Sequence, residues 1–219
     1  ANMALKPECS DNLILGLFGT LQYGQHTFYY EANGFLRFVD NYIQPQIAEK
    51  EGMMQYTNEP AVHIKGIEGE VRYNWDKRLQ IVGNMSWQDA RNRQEYLTNG
   101  QPNATFNNRV PNRPWLFAST EAHYSFFDLF QEKDHLTVSA DYQWVHWFFL
   151  SWEAYGSKST KARIPTKNTI GANITYSWCR NRYSVSIDCD NLFDATTYDN
   201  YKLQRPGRTL FAKFRLLLQ

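Results

Sequence analysis

Long apolar runs are missing from this 219-residue sequence. The longest, such as Trp-Phe-Phe-Leu at residues 147–150, fall far short of the ~18 consecutive apolar residues of a membrane helix. Any crossing of a membrane must then be made by strands. A dominant sign of charge is missing too. There are 23 Lys and Arg against 22 Asp and Glu, a net charge of +1, and no run of like charge is long enough to follow a nucleic-acid backbone. Nucleic acid is not expected as a partner. Cysteine is scarce, and the spacing of Cys9, Cys179 and Cys189 excludes a disulfide framework and a zinc pattern; at most one pair could form. His26, His63, His123, His135 and His146 are scattered without a pair at metal-ligand spacing. No G-x-S-x-G, Walker or G-x-G-x-x-G stretch occurs. No catalytic group, metal or cofactor is expected. Ala1, Asn2, Met3, Ala4, Leu5 and Lys6 show neither the apolar core nor the cleavage site of a signal peptide, so the chain reads as a piece of a longer secreted protein.

Aromatic side chains are abundant instead: 14 Tyr, 14 Phe and 7 Trp make up 16% of the residues. Rings with a polar edge collect where membrane meets water. The mean hydropathy of -0.60 is compatible with that, because in a transmembrane barrel every second residue can be polar.

Period-two alternation is the dominant pattern, in segments of about ten residues, as membrane strands require. The last segment is the cleanest: Leu210, Ala212, Phe214, Leu216 and Leu218 share one face, and Thr209, Lys213 and Arg215 the other. Tyr183, Val185, Ile187 and Cys189 oppose Ser184, Ser186, Asp188 and Asp190. Ile170, Ala172, Ile174, Tyr176 and Trp178 oppose Gly171, Asn173, Thr175 and Ser177. Similar alternation runs through residues 136–144, 116–126, 79–88, 67–73 and 28–33, where Glu68 and Glu70 form a charged row beside Arg72 rather than a catalytic carboxylate pair. Residues 13–23 also alternate, but Ile14 and Phe18 leave the orientation of that segment open.

Nine long strands are predicted, joined by connections of alternating length. Tight turns are expected at residues 23–25, 75–78 and 179–182. Long polar connections are expected at residues 40–53, 91–111, 153–165 and 193–206, with residues 127–134 a longer turn on the short-turn side. Short periplasmic turns and long extracellular loops are the outer-membrane asymmetry. A soluble β-sandwich also alternates, but its strands are usually ~5–6 residues long, about half of what is seen here. Free thiols are expected, with Cys179 at a turn and Cys189 facing lipid.

Several motifs carry a resemblance. Asn2, Leu5, Lys6, Pro7, Glu8, Ser10 and Asn12 match an "N-x-x-L-K-P-E-x-S-x-N" stretch. Lys65 to Glu70 reads "KGIEGE", Val110 to Pro114 reads "VPNRP", Asn191, Leu192, Phe193 and Asp194 read "NLFD", and Pro206, Gly207 and Arg208 read "PGR". In this order and spacing the sequence resembles the TonB-dependent outer-membrane receptors, with residues 1–219 as the C-terminal segment of the β-barrel. The short polar residues of "NLFD" and the Pro and Gly of "PGR" suit strand ends, so these motif residues are assigned a structural role.

The resemblance implies an all-β, antiparallel transmembrane barrel in the bacterial outer membrane. It implies uptake of a scarce nutrient such as a ferric siderophore or other iron complex, with energy from TonB. The plug domain, the N-terminal barrel strands and the TonB-contacting part lie outside these residues, and the partners implied are outer-membrane lipid, the plug, TonB and the iron chelate. Glu31, Glu121, Asp141, Asp188, Lys213 and Arg215 are expected to face the plug or water. Tyr42, Arg91, Arg93, Trp152, Tyr155, Tyr198 and Tyr201 are expected to contribute to ligand capture, because aromatic and Arg side chains suit large, flat or anionic chelates. The alternatives are a soluble β-rich binding module and an outer-membrane barrel enzyme. The enzyme would need a convergent Asp/His or Ser/His group, which the sequence does not offer.

Overall fold

The computed structural model describes residues 3–47, 54–97, 99–155, 162–200 and 202–218. Among them nine long strands form one antiparallel sheet, each beside the next in chain order: β1 Cys9–Tyr23, β2 His26–Ile47, β3 Met54–Trp75, β4 Leu79–Asn92, β5 Leu116–Phe127, β6 His135–Val145, β9 Lys167–Trp178, β10 Tyr183–Asp190 and β11 Thr209–Leu216. Two short strands, β7 Phe148–Phe149 and β8 Arg163–Ile164, make a separate ribbon inside the β6–β9 connection. The sheet is open, with β1 and β11 at its two edges.

The registers join the alternating rows into two continuous faces. One line of partners runs Leu21, Phe28, Tyr73, Ile81, Ala122, Ala140, Ala172, Cys189 and Leu210, apolar or aromatic across all nine strands. The line beside it runs Gln22, Thr27, Asn74, Gln80, His123, Ser139, Asn173, Asp188 and Phe211, polar in all but the last. Because side chains alternate strictly, a slip of one residue in any pair would mix these faces. Pairing also settles β1, whose Leu13, Leu15, Leu17 and Leu21 belong to the apolar face while Ile14 and Phe18 stand on the other.

That apolar face is uncovered. Leu15 is 81% exposed, Met85 55% and Phe214 64%, and among the described residues no second sheet packs on it. A sandwich would bury these side chains against a partner sheet; a membrane strand presents them to lipid. Rings gather where this face meets the short turns. Tyr176 and Trp178 stack at 5.4 Å, Trp178 and Tyr183 at 5.5 Å, and His26 and Trp75 at 6.2 Å.

The turns follow from residues that tolerate positive φ. Gly24, at φ 57°, opens the β1–β2 turn, Asp76 at φ 49° the β3–β4 turn, and Cys179, Arg180 and Asn181 all take left-handed backbone between β9 and β10. Cys179 thus lies in a turn and is exposed, Cys189 is buried, and all three thiols are free. Residues 128–134, between β5 and β6, are ordered by one buried carboxylate. Asp134 accepts hydrogen bonds from the amides of Leu129 at 2.8 Å and of Phe130 and Gln131 at 3.0 Å, and from the Tyr176 hydroxyl at 2.7 Å. Burial pushes its pKa up, but the Tyr176 and amide hydrogen bonds outweigh that and hold it below the usual carboxylate range.

The expected connection at residues 40–53 is corrected. β2 runs on to Ile47 and β3 begins at Met54, with pairing continuing through Tyr42–Glu59 to Ile47–Met54. Beyond the lipid band the strands meet water and loops, so hydrogen bonding persists after the apolar alternation that marks a strand has ended. The ladder omits only the pair Asn41 and Pro60; proline has no amide to donate, and Asn41 stands at φ 54°. The expected loop at residues 153–165 likewise contains β8, whose Ile164 is buried opposite buried Phe148.

Ile174 lies near the middle of the apolar band and Thr175 on the opposite face. Ile174→Arg is expected to destabilise the parent barrel by about 2–4 kcal/mol in bilayers and Thr175→Arg by far less, as measured by urea unfolding in phospholipid vesicles. Equal losses would contradict the assignment of faces.

Candidate functional site

The end of the sheet that carries the long connections holds the buried core. Val39, Tyr42, Val62, Ile64, Ala90, Val110 and Trp152 form one cluster, with Phe35 packed against it. Val39, Val62, Ile64 and Ala90 continue the rows of the polar face beyond the level of the lipid band, where the sequence turns apolar because loops, not water, cover them. Val110 comes from the β4–β5 loop and Trp152 from the β6–β9 loop, so this cluster sews two loops to the strands. The left-handed backbone at Asn41 interrupts the alternation, and Tyr42 joins Val39 in the same cluster.

Polar groups finish the seam. Asn92, fully buried, donates to Thr105 Oγ1 at 2.8 Å, and its carbonyl oxygen accepts from the Asn107 amide at 2.9 Å. Gln44 donates to Glu59 at 2.8 Å. Asp89 is buried between two guanidinium groups, Arg91 Nε and Arg109 Nε, each at 2.7 Å. Burial alone would raise the Asp89 pKa; hydrogen bonds from Arg91 and Arg109 overcome it and hold it below the usual range. Arg109 in turn lies over the Trp115 ring at 4.4 Å, a cation–π contact.

The residues expected to capture ligand separate into two kinds. Tyr42 and Trp152 are each only 7% exposed; both pack in the cluster, and Arg113 caps the Tyr42 ring at 5.3 Å. Arg91 and Arg93 are brought together on Asn107: Arg91 donates to its carbonyl at 2.8 Å and Arg93 to its side-chain oxygen at 2.9 Å. Arg93 is exposed, Tyr155 is exposed beside Trp152, to whose carbonyl its amide donates, and Tyr198 is half-buried in the β10–β11 loop, bridged to Gln204. Tyr201 lies outside the described residues. Sequence reasoning missed Asp89, Arg109 and Arg113. Their significance comes from convergence across a loop, and only the "VPNRP" stretch drew attention to Arg113.

The motif residues act as clamps. Glu8 accepts from Arg37 at 2.7 Å and from the Ile43 amide at 3.1 Å, and Lys6 exchanges two hydrogen bonds with the Asn58 side chain. The leading segment with Leu5 and Pro7 is thereby held on the β2–β3 hairpin. Asn191 closes a local ring with Ala195 through two 2.9 Å bonds. Asp194 accepts from the Arg208 amide at 2.8 Å, joining "NLFD" to "PGR". A Cβ at Gly207 would collide with that carboxylate, so only glycine permits the approach, while Phe193 projects outward and Pro206 precedes the strand. On the polar face, Glu31 accepts from Tyr29 and Asn33, Asp188 pairs with Lys213 at 2.9 Å, and Glu121 stands opposite Asp141.

Asp89→Ala leaves Arg91 and Arg109 without the carboxylate they share. A loss of about 1–3 kcal/mol of local stability is expected, read as faster limited proteolysis within residues 93–115 than in the unaltered protein.

A family profile described as "TonB dependent receptor-like, beta-barrel" matches residues 1–192. Among solved structures, the fold is similar to that of the ferric enterobactin receptor PfeA from Pseudomonas aeruginosa, with a TM-score of 0.67 at 17% identity over 96% of this chain and 31% of that one. It is similar to the siderophore receptor PirA from Acinetobacter baumannii, with a TM-score of 0.66 at 18% identity over 96% of this chain and 32% of that one. The copper transporter OprC has a TM-score of 0.66 at 18% identity over 96% and 31%. At such identities these likenesses speak for the fold alone, and this chain spans about a third of the length of those structures. No curated protein matches it. With the profile extending over most of the chain, and with an apolar outer face matched in register to a polar inner one, the chain belongs to the TonB-dependent receptor β-barrel family.

Proposed function

We propose that this chain is the C-terminal segment of the wall of an active importer in the bacterial outer membrane, taking up a ferric siderophore or another iron complex with energy from TonB. The observation that carries this is the sheet itself: a continuous apolar face for lipid, a polar face for a wet or plugged interior, and a folded cap at the end with long loops. The plug domain, the N-terminal strands and the TonB contact belong to the rest of the protein. About 22 strands close an outer-membrane transporter, so β1 and β11 pair with strands that these residues do not include.

Capture falls to the cap, with Arg93 and Tyr155 exposed and Arg91 and Tyr198 half-buried beside them: the Arg residues for anionic oxygens and the Tyr residues, with Tyr201 by its place in the sequence, for flat or aromatic surfaces. Tyr42 and Trp152 support them from beneath as a packed floor. Support for an iron chelate comes from relatives of the same fold named as ferric enterobactin and siderophore receptors; OprC, named as a copper transporter, supplies the competing cargo.

Deleting the gene for the full receptor is expected to abolish growth on particular ferric siderophores as sole iron source and to leave growth on haem, cobalamin and limiting copper unchanged. A defect confined to copper or cobalamin would replace the ligand class. In the full receptor, Arg93→Ala combined with Tyr155→Ala is expected to weaken ligand binding roughly tenfold, about 1.4 kcal/mol, with the fold intact by heat-modified gel mobility. Unchanged affinity would remove both residues from the capture site.

A further inference from the structure

At the short-turn end of the sheet the β5–β6 connection is unlike its neighbours. It is longer than the others, yet it is folded. Asp134 gathers three amides of the turn, and Asp128 accepts from the Lys133 amide at 2.6 Å. The direction of folding is set by Tyr176, which stands in the apolar row of β9, paired with Leu136 on one side and Val185 on the other. The Tyr176 hydroxyl donates to Asp134 at 2.7 Å, and the Phe130 ring meets the Tyr176 ring edge-on at 5.6 Å and 79°. The turn therefore leans outward over the lipid-facing side rather than inward across the lumen.

Its tip carries Leu129 and Phe130. Phe130 is 75% exposed and Leu129 is exposed as well, although a hairpin turn can be closed with polar residues alone. Phe130 meets Tyr176, the first of the aromatic row Tyr176, Trp178 and Tyr183 that ends the apolar band, Leu129 precedes it in the turn, and Asp128, Glu132 and Lys133 flank them with charges suited to headgroups. An apolar tip between charges, continuous with a lipid-facing surface, has the make-up of an interfacial anchor, apolar side chains toward the acyl boundary and charges toward the headgroups.

We propose that residues 128–134 form a membrane foot, in which Leu129 and Phe130 insert into the phospholipid leaflet on the short-turn side and the Asp134–Tyr176 hydrogen bond sets the angle of insertion. The foot fixes the depth of the wall in the bilayer at this strand pair. It rests on the transmembrane fold, and the test separates the two. In the full receptor, with Cys9, Cys179 and Cys189 changed to Ser and the protein reconstituted in phospholipid vesicles, a nitroxide label is placed by Phe130→Cys, Leu129→Cys, Lys77→Cys or Ile174→Cys. Accessibility to oxygen and to a water-soluble nickel chelate is then measured.

Labels at positions 129, 130 and 174 are expected to favour oxygen over nickel several-fold relative to position 77 in the β3–β4 turn. Adding Asp134→Asn is expected to raise nickel access at position 130. If 174 favours oxygen but 129 and 130 behave like 77, the foot is overturned and the barrel stands. If 174 also behaves like 77, the membrane reading itself is overturned. Exclusion of both reagents at 130 would mean that protein, not lipid, covers the tip, and unchanged nickel access with Asp134→Asn would overturn the role of the tether.

Discussion

Hydrocarbon offers no hydrogen-bond partner, and this constraint governs the rest of the molecule. Each unpaired backbone amide or carbonyl in a bilayer costs several kcal/mol, so a strand that crosses must be paired on both sides and must keep its polar side chains on the other face. Between Leu21 on β1 and Leu210 on β11 the pairing never changes face. A slip of one residue would carry Asn173, Asp188 and Glu121 into lipid. The tight turns at Gly24, Asp76 and Cys179–Asn181 serve the same end, since a short connection made from residues that accept left-handed backbone leaves little freedom in the register that follows.

Beyond the lipid band that constraint relaxes, and the chain is held by ordinary protein packing. β2 and β3 continue as a paired hairpin, the β4–β5 and β6–β9 loops fold onto the cluster around Val62 and Trp152, and Asp89 and Asn92 tie the seam with buried hydrogen bonds. The result is a cap in which aromatic and guanidinium groups have fixed positions. Rigid placement lowers the ordering cost of binding any ligand at such a cap, and on the proposed function this links the packing beneath to the residues above. The two motif clamps, Glu8 on Arg37 and Asp194 on the Arg208 amide, act where chain segments enter or leave this cap.

Much of the wall was legible beforehand because lipid and water write different residues on alternate positions. The nine strands, the alternating lengths of their connections and the turn position of Cys179 came from that signal; Cys189, expected to face lipid, stands in the apolar row but is buried. The signal failed at residues 40–47 and 54–61, where the strands carry no apolar period to read. It also failed at the cap, where Tyr42 and Trp152 looked like loop decoration yet are packed core; an aromatic residue in a polar stretch reads the same whether it points to solvent or into a neighbouring loop.

Sequence alone determined the number of membrane strands, the face of each that meets lipid and the end that carries the long loops, because these depend on local alternation and turn chemistry. Tertiary structure alone decided that β1 places Ile14 and Phe18 inward, that Asp89 unites Arg91 with Arg109, and that Asp134 bends its turn toward Tyr176. Each of these depends on which distant residue stands alongside, and that is a matter of register and loop closure, carried by no single segment of the chain.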